Sequence, residues 1–203
     1  MKIVLIWIQW SWKWTQARIL EEKQWFKQYE TGWALREIAK KDTKLWRLVK
    51  ETIENWKQVS PEIVEDILKD VIESNKNSKL ILDWFVRNLW NKESVDKIVW
   101  EYKVLFLNLP KEEAKKRLLW RMYDKQTWET FPAWTKTNPK TWNLLEKRSD
   151  DEEESINTRI TQFFEKTMPV VEIYKKEWRL IEIDANKSIW EVQKEIILNL
   201  SLK

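Results

Sequence analysis

The stretch from Trp7 to Thr15 has the sequence W-I-Q-W-S-W-K-W-T, and it decides the fold prediction. It follows an apolar, β-branched run at residues 2–6 and opens a segment with helical periodicity at residues 13–23. With glycine at its four tryptophans, the stretch contains G-x-x-x-x-G-K-[ST], the pattern of a loop whose backbone N–H groups cradle phosphate. Such a loop requires glycine, because an indole would fill the space that the phosphate needs.

The tryptophans of this stretch are part of a wider anomaly in composition. The chain has 17 tryptophans and one glycine, Gly32, in 203 residues, whereas average usage gives roughly 7% glycine. Several tryptophans stand where turns and helix C-caps are expected, positions at which a positive φ and a missing Cβ matter. These are Trp7, Trp25, Trp56 and Trp178. We therefore hypothesise that most of these tryptophans are glycines, as results when UGA codons decoded as glycine are translated as tryptophan. The alternative is a chain that truly contains them.

Composition limits the chemistry that the chain can perform. It has neither cysteine nor histidine, so disulfides, cysteine-ligated zinc and the commonest general base are excluded. Any catalysis must use lysine, arginine and carboxylates. The net charge of +4 fits an anionic substrate, but it is too diffuse to indicate nucleic acid by itself. The N-terminal apolar run is too short for a signal peptide or a membrane span, so we expect a cytoplasmic protein.

Strand and helix patterns alternate along the chain, which predicts an α/β fold with a parallel sheet covered on both faces. The predicted strands are residues 2–6, 26–29, 79–83, 102–108 and 179–184. The predicted helices are residues 13–23, 34–41, 45–55, 110–122 and 189–198, with further helices beginning near residues 60 and 149. Residues 123–147 lack apolar periodicity and are rich in Thr, Asn, Pro and Trp, which predicts an inserted surface segment.

With glycine in the loop, the chain resembles the adenylate kinase family of nucleoside monophosphate kinases over nearly its whole length. The resemblance rests on ordered motifs: G-x-x-G-x-G-K-G-T-Q at 7–16, T-G-x-x-L-R at 31–36, G-x-x-V at 56–59, D-G-F-P-R at 83–87, R-x-x-G-R at 117–121, G-x-x-Y/F at 128–131, R-x-D-D at 148–151 and D-G-x-x at 184–187. It implies one P-loop kinase core over residues 1–203, a three-layer sandwich with a five-stranded parallel sheet. It also implies a helical AMP-binding flap at 30–59 and a lid at 121–151.

The resemblance further implies the reaction and its residues. ATP and AMP would give two ADP, with Mg²⁺ as cofactor, in a monomer without nucleic-acid or membrane partners. The implied catalytic residues are Lys13, Arg87, Arg121, Arg148 and Arg159. The implied ATP site comprises Trp10, Ser11, Trp12, Lys13, Trp14, Thr15, Arg117, Arg121, Thr130, Phe131 and Lys187. The implied AMP site comprises Thr31, Arg36, Lys57, Gln58, Val59, Trp84, Phe85, Val86, Arg87, Asn91, Arg148 and Arg159. Magnesium would be held by Thr15 and, largely through water, by Asp83; no zinc is expected.

The family pattern carries glycine at many of the tryptophans and leaves others open. It has glycine at residues 7, 10, 12, 14, 56, 84, 120, 128, 142 and 178, and it does not decide Trp33, Trp46, Trp90, Trp100 or Trp190. The chain also departs from the pattern. Val86 stands where the family has proline, and Asn91 stands where a longer glutamine contacts the adenine of AMP.

Three alternatives remain open at this point. Asn91 leaves room for a kinase of the same fold that phosphorylates UMP or CMP, although Thr31 favours adenine. If the tryptophans are literal, the chain would be an aromatic-rich relative unable to bind nucleotide. A basic, aromatic-rich chain could also stack single-stranded nucleic acid, but stacking surfaces need their aromatic residues on one exposed face.

Overall fold

The computed structural model describes residues 1–8, 11–30, 61–127, 129–132, 134–147 and 152–202. Five parallel strands form the main sheet in the order β2-β3-β1-β4-β7. Their bounds are Lys2–Trp7 for β1, Phe26–Glu30 for β2, Lys79–Asp83 for β3, Lys103–Asn108 for β4 and Leu180–Asp184 for β7. The middle strands are runs of Val, Ile and Leu because both faces of the sheet are covered by helices. The predicted α/β sheet is confirmed.

Seven α-helices connect or cover the strands within the described residues. Their bounds are Lys13–Gln24 for α1, Pro61–Ser74 for α2, Leu89–Ile98 for α3, Lys111–Leu119 for α4, Glu153–Gln162 for α5, Met168–Lys176 for α6 and Ile189–Asn199 for α7. A π-helical segment, Phe163–Thr167, joins α5 to α6. Helix α7 begins with a capping box, in which Ser188 and Glu191 satisfy each other's backbone N–H groups.

The structure corrects the sequence prediction in three places. Helix α3 was not predicted, because its buried side chains include Lys92 and Ser94 and its apolar period is therefore weak. The helix predicted to continue to residue 122 ends at Leu119, and the next residues form strand β5, Arg121–Tyr123. Trp7 ends strand β1 and is absent from the described residues with positive φ, so its assignment to such a turn was wrong. The predicted helices at 34–41 and 45–55 lie outside the described residues.

The predicted insert after α4 is a small lobe built on a two-stranded antiparallel sheet. Strand β5 pairs with β6, Thr130–Pro132, and the chain then returns so that Tyr123 bridges to Glu146. The lobe is organised around the carboxylate of Asp124, which is inaccessible to solvent. Asp124 accepts hydrogen bonds from the backbone N–H groups of Gln126 and Thr127 and from the side chains of Asn138, Thr141 and Asn143.

These hydrogen bonds decide the ionisation of Asp124. Burial alone would raise the pKa of this carboxyl, but the amide and backbone donors, with Asn138 foremost, favour the charged form and hold its pKa well below the ordinary value. Within the described residues, no three or more acidic side chains come together in a way that could hold a metal ion. Nor is any helix in the described part of the chain long and apolar enough to span a membrane.

Candidate nucleotide site

Lys13 and Asp83 meet at the edge of the sheet where β1 and β3 end. Lys13 is the first residue of α1, and Asp83 is the last residue of β3, which pairs with Leu5 of β1. Ligands of open α/β sheets bind at this carboxyl edge. The Lys13 Nζ lies 2.8 Å from Asp83 Oδ2, and both side chains are buried. The predicted P-loop lysine and the predicted magnesium carboxylate are therefore direct neighbours.

Two further side chains hold the carboxylate of Asp83. Gln28 Nε2 donates to Asp83 Oδ2 at 2.8 Å, and the indole Nε1 of Trp7 donates to Oδ1 at 3.0 Å. Glu30, which follows Gln28 by two residues on β2, places its Oε1 3.9 Å from Lys13 Nζ. The sequence prediction missed Gln28 as a site residue. The available signal was its place on β2, since residues two apart share a face of the sheet.

Indole rings fill the space around Lys13. Trp7 and Trp84 stack with their ring centroids 5.3 Å apart and their planes 14° from parallel. The Lys13 Nζ lies 4.4 Å from the Trp7 ring centroid, 4.7 Å from that of Trp14 and 5.9 Å from that of Trp84. These are cation–π distances, so the indoles occupy the space beside the ammonium group that its carboxylate partners leave open. A phosphate can reach Lys13 only where these rings are absent.

Arg87 completes the cationic part of the cluster. Its Cζ lies 3.4 Å from the Trp84 ring centroid, and its carbonyl oxygen accepts a hydrogen bond from the Thr167 hydroxyl at 2.8 Å. Desolvation of the guanidinium lowers the pKa of Arg87 to about 10, against the opposing charges of Asp83 and Glu30. The residue as a whole keeps an exposed surface, so desolvation is incomplete. Because this pKa still lies well above neutral pH, Arg87 is cationic there and can bind an anion.

The described part of the phosphate loop contains buried polar atoms that lack a hydrogen-bond partner. The Ser11 side chain is fully buried, and its hydroxyl is unpaired among the described residues; the Nε1 of Trp12 is also buried and unpaired. Trp12 has φ 62° and ψ 16°, the left-handed conformation at the N-terminus of α1. The unpaired Ser11 hydroxyl and the left-handed backbone beside a helix N-terminus are features of a loop that binds an anion.

Arg117 connects this loop to the far end of the site. Its guanidinium lies 5.2 Å from the Trp12 ring centroid and donates to the carbonyl of Ala185 at 3.3 Å and to Asn186 Oδ1 at 3.2 Å. Glu113, one turn earlier on α4, accepts from Arg117 Nε at 2.8 Å and fixes the side chain. Arg117 therefore lies between the phosphate loop and the turn that follows β7, where the ATP base is predicted.

The comparisons with known proteins agree with this geometry. A family model described as adenylate kinase matches residues 10–179. The chain is 31% identical over 194 residues to adenylate kinase from Borrelia garinii subsp. bavariensis, with 92% of each chain covered. It is 31% identical over 196 residues to adenylate kinase from Archaeoglobus fulgidus, covering 91% of this chain and 90% of that one. It is 30% identical over 209 residues to adenylate kinase from Chloroherpeton thalassium, covering 97% and 96%.

The chain belongs to the adenylate kinase family. It is a nucleoside monophosphate kinase, and its α/β sheet with flanking helices is the P-loop kinase fold of that family. Because the relatives compared are adenylate kinases, the alternative of a UMP or CMP kinase is not favoured.

Several residues predicted for the adenylate kinase site have their side chains turned elsewhere. Phe85 and Val86 belong to the hydrophobic core, so any contact that they make with AMP would come from their backbone. Asn91 uses its Oδ1 to accept from the Arg87 backbone N–H at 3.2 Å, within the first turn of α3. Lys187 pairs with Glu195 at 2.7 Å.

The remaining predicted residues lie on other elements or outside the described residues. Thr15 is half-buried in the first turn of α1, and Thr130 and Phe131 lie on β6. Arg121 begins β5, and Arg159 lies in the last turn of α5, where its Nε donates to the Ser155 carbonyl. Their convergence on the transferred phosphoryl group stays a prediction. The predicted positions outside the described residues are Trp10, Thr31, Arg36, Lys57, Gln58, Val59 and Arg148.

Proposed function

We propose that the cluster of Lys13, Asp83 and Arg87 is the place where this adenylate kinase converts ATP and AMP into two ADP. The observation that carries the proposal is the buried pair of Lys13 and Asp83, 2.8 Å apart, at the carboxyl edge of the sheet and the N-terminus of α1. Arg87, four residues beyond Asp83, adds a second cation on the loop that follows β3. Two cations beside one helix N-terminus are suited to the triphosphate of one nucleotide and the phosphate of another.

Phosphoryl transfer needs positioned charge more than covalent chemistry from the protein. Lys13 would hold the β- and γ-phosphates of ATP, and Arg87 would hold the phosphate of AMP, so that the attacking oxygen lies in line with the γ-phosphorus. Arg121, Arg148 and Arg159 would add charge from the lid side. The absence of histidine from the chain is no obstacle to this reaction.

The residues present fit a magnesium ion. The hydroxyl of Thr15 and the carboxylate of Asp83 are hard oxygen donors, the type that Mg²⁺ prefers. When bound, the ion would neutralise charge on the ATP phosphates. Asp83 Oδ1 is covered by the Trp7 indole N–H at 3.0 Å, and glycine at residue 7 would leave this oxygen facing the nucleotide.

Two inserts would close over the substrates during the reaction. The flap at residues 30–59 would cover AMP, and the lid at residues 121–151 would cover ATP, because water in the site would accept the phosphoryl group. We place the reaction in the cytoplasm and assign it to a monomer. The mass of the purified enzyme by light scattering tests the monomer.

The active enzyme is expected to be the chain with glycine at the ten positions that the family pattern assigns to glycine. We call this chain the glycine form; its changed positions are residues 7, 10, 12, 14, 56, 84, 120, 128, 142 and 178. Removal of the indoles of Trp7, Trp14 and Trp84 takes away the rings that surround Lys13. The cations are then available to phosphate.

The test is a coupled assay of ADP formation from ATP and AMP with the glycine form. Lys13→Met should reduce kcat/KM by roughly 10²–10³-fold, the effect of removing one positioned charge from a transition state. Lys69→Met is the matched control, because Lys69 is an exposed lysine of α2 paired with Asp66. Its kcat/KM should not change.

Two outcomes would contradict the proposal. Full activity in Lys13→Met would move the reaction away from this cluster. In the glycine form itself, faster phosphoryl transfer to UMP or CMP than to AMP would contradict the assignment of AMP as the acceptor.

A further inference from the structure

Positive φ is concentrated at tryptophan in this protein. Among the described residues, six have positive φ, and five of them are tryptophans: Trp12 at 62°, Trp25 at 60°, Trp84 at 66°, Trp142 at 62° and Trp178 at 58°. The sixth is Ser201 at 53°. Only a few per cent of non-glycine residues adopt positive φ, with Asn, Asp and His enriched among them, and for a bulky residue the conformation is an outlier. We infer that the protein carries glycine at residues 12, 25, 84, 142 and 178.

Trp25 and Trp178 close two helices in the manner of glycine. Trp25 ends α1 in the left-handed conformation, and its N–H bonds to the Leu20 carbonyl. Trp178 follows α6, with the next N–H, that of Arg179, bonded to the Tyr174 carbonyl at 3.1 Å. The bonds at Trp178 are those of a Schellman C-cap, and a left-handed residue at a helix C-terminus is usually glycine. Both indoles are exposed, 83% for Trp25 and 96% for Trp178, so packing does not offset the strain.

Trp142 occupies a turn of the small lobe between two residues that serve Asp124. Thr141 and Asn143 both donate to the Asp124 carboxylate, and the Trp142 N–H bonds to the Asn138 carbonyl at 2.8 Å. The backbone at residue 142 is therefore fixed in the left-handed region by its neighbours. The side chain adds nothing to this arrangement, because the indole is 79% exposed.

Trp12 and Trp84 occupy the site itself. Trp12 leaves a buried Nε1 without a partner among the described residues, which is a further cost of the indole. The ring of Trp84 lies between Lys13 and Arg87, at 5.9 Å and 3.4 Å from its centroid. Glycine at both positions relieves the backbone and removes the ring that lies between the two cations.

Backbone conformation separates these five residues from other tryptophans. Trp100 is 97% exposed, and Trp190 is 69% exposed in the first turn of α7, yet neither has positive φ. Exposure alone therefore does not mark a glycine position. Trp25 lies outside the positions that the family pattern assigns to glycine, so the backbone adds a position that the resemblance leaves out. The inference rests on φ and not on the proposed reaction, and it can fail or hold independently of activity.

Peptide mass spectrometry of the protein purified from its native cells tests the inference position by position. We expect the peptides that contain residues 12, 25, 84, 142 and 178 to be lighter by the difference between a tryptophan and a glycine side chain. Tryptophan at most of these positions would overturn the inference. The measurement does not depend on folding or activity.

A pair of substitutions in the glycine form provides a second test. Trp25 and Trp190 are both exposed, and both remain tryptophan in that form. Trp25→Gly should raise Tm by about 2–4 °C, because it removes left-handed strain from a bulky residue. Trp190→Gly should lower Tm, because it places glycine in a helix and removes the contact of Lys23 Nζ with the ring, at 5.4 Å. A lower Tm for Trp25→Gly would overturn the assignment at residue 25.

Discussion

Two carboxylates paired with lysine lie at opposite edges of the same sheet. At the carboxyl edge, Asp83 pairs with Lys13 at 2.8 Å. At the amino edge, Asp96 of α3 accepts from Lys92 at 2.6 Å, from the Tyr102 hydroxyl at 2.6 Å and from Arg179 at 2.7 Å. Tyr102 and Arg179 stand immediately before β4 and β7, so the Asp96 cluster ties one helix to the beginnings of two strands.

The two clusters differ in how their polar groups are satisfied. Around Asp96, ordinary side chains supply the donors. Burial would raise its pKa, but the hydrogen bonds from Lys92, Tyr102 and Arg179 outweigh burial and hold the pKa below the ordinary value. At the N-terminus of α1, where Lys13 begins the helix, the Ser11 hydroxyl is buried and unpaired within the described residues. The Asp96 cluster is therefore complete by itself, whereas the loop before Lys13 keeps a buried hydroxyl that is available to a ligand.

The largest effect is expected at Asp83. In the glycine form, Asp83→Asn should lower kcat/KM for ADP formation by roughly 10²–10³-fold, because a charge that positions the magnesium nucleotide is lost. Tm should change little, because loss of the three indoles around Lys13 would let water solvate its ammonium group after the carboxylate is removed. A coupled assay and a thermal melt check both parts. A large loss of Tm with activity retained would make Asp83 a structural residue like Asp96.

A smaller effect on activity is expected at Gln28. Gln28→Leu removes the amide that donates to Asp83 Oδ2 at 2.8 Å, and leaves the carboxylate less fixed. Loss of such a partner typically weakens metal binding or activity by about 10–100-fold. Titration of activity with Mg²⁺ should therefore show a higher requirement in the variant, with KM for AMP unchanged. Gln28→Glu should not restore the normal Mg²⁺ requirement, because an ionised carboxylate has no N–H to donate to Asp83. Gln28→Asn keeps the amide on a side chain one methylene shorter, so it tests whether the length of Gln28 is needed. An unchanged Mg²⁺ requirement would remove Gln28 from the site.

Asp96→Asn should have the opposite pattern to Asp83→Asn. It removes one of the two carboxylates that Lys92 and Arg179 share and leaves them Glu177, at 2.8 Å and 3.8 Å. The free energy of unfolding should fall by about 2 kcal/mol, within the range for hydrogen bonds to a charged group. Activity per folded molecule should not change, because the cluster lies at the edge of the sheet away from Lys13. Urea unfolding and the coupled assay give the two values. Loss of activity without loss of stability would contradict the structural role.

The pH dependence of unfolding should carry a small signature of the same carboxylate. Because the native pKa of Asp96 is lowered, its contribution to stability is present above the unfolded pKa of about 3.9 and is lost as pH falls through the native value. The stability difference between the glycine form and its Asp96→Asn variant should therefore shrink as pH falls below about 3.9. A difference that stays constant down to acid unfolding would show that the charge of Asp96 does not stabilise the fold.

The sequence predicted the elements in which one physical signal dominates. The three middle strands follow from runs of Val, Ile and Leu, and the place of Lys13 follows from the strand-loop-helix pattern around it. Helix α3 was missed because buried polar residues interrupt its apolar face. Gln28 was missed because its role depends on the pairing of β2 with β3, a contact between distant parts of the chain.

The sequence predicted the sign of φ correctly at some single residues and wrongly at another. The C-cap interpretation holds at Trp25 and Trp178, where a helix ends and the backbone must reverse. The separate assignment of Trp7 to a turn with positive φ was wrong, because Trp7 is the last residue of strand β1 and does not have positive φ. A sequence shows where an element ends only to within a few residues, and the sign of φ at its end depends on which way the next element leaves.

The short-range contacts of the Asp124 lobe have a consequence for its local stability in the folded protein. Among the described residues, the donors to Asp124 lie between residues 126 and 143, and strands β5 and β6 are near neighbours in sequence. The Glu129 carboxylate also lies 3.6 Å from Arg18 of α1. A unit held mainly by short-range contacts can open and close without disturbing the main sheet. Its amide hydrogens should then exchange with solvent as one group, faster than those of β1 and β4. The enzyme would thus combine a lobe that opens locally with a main sheet that stays folded.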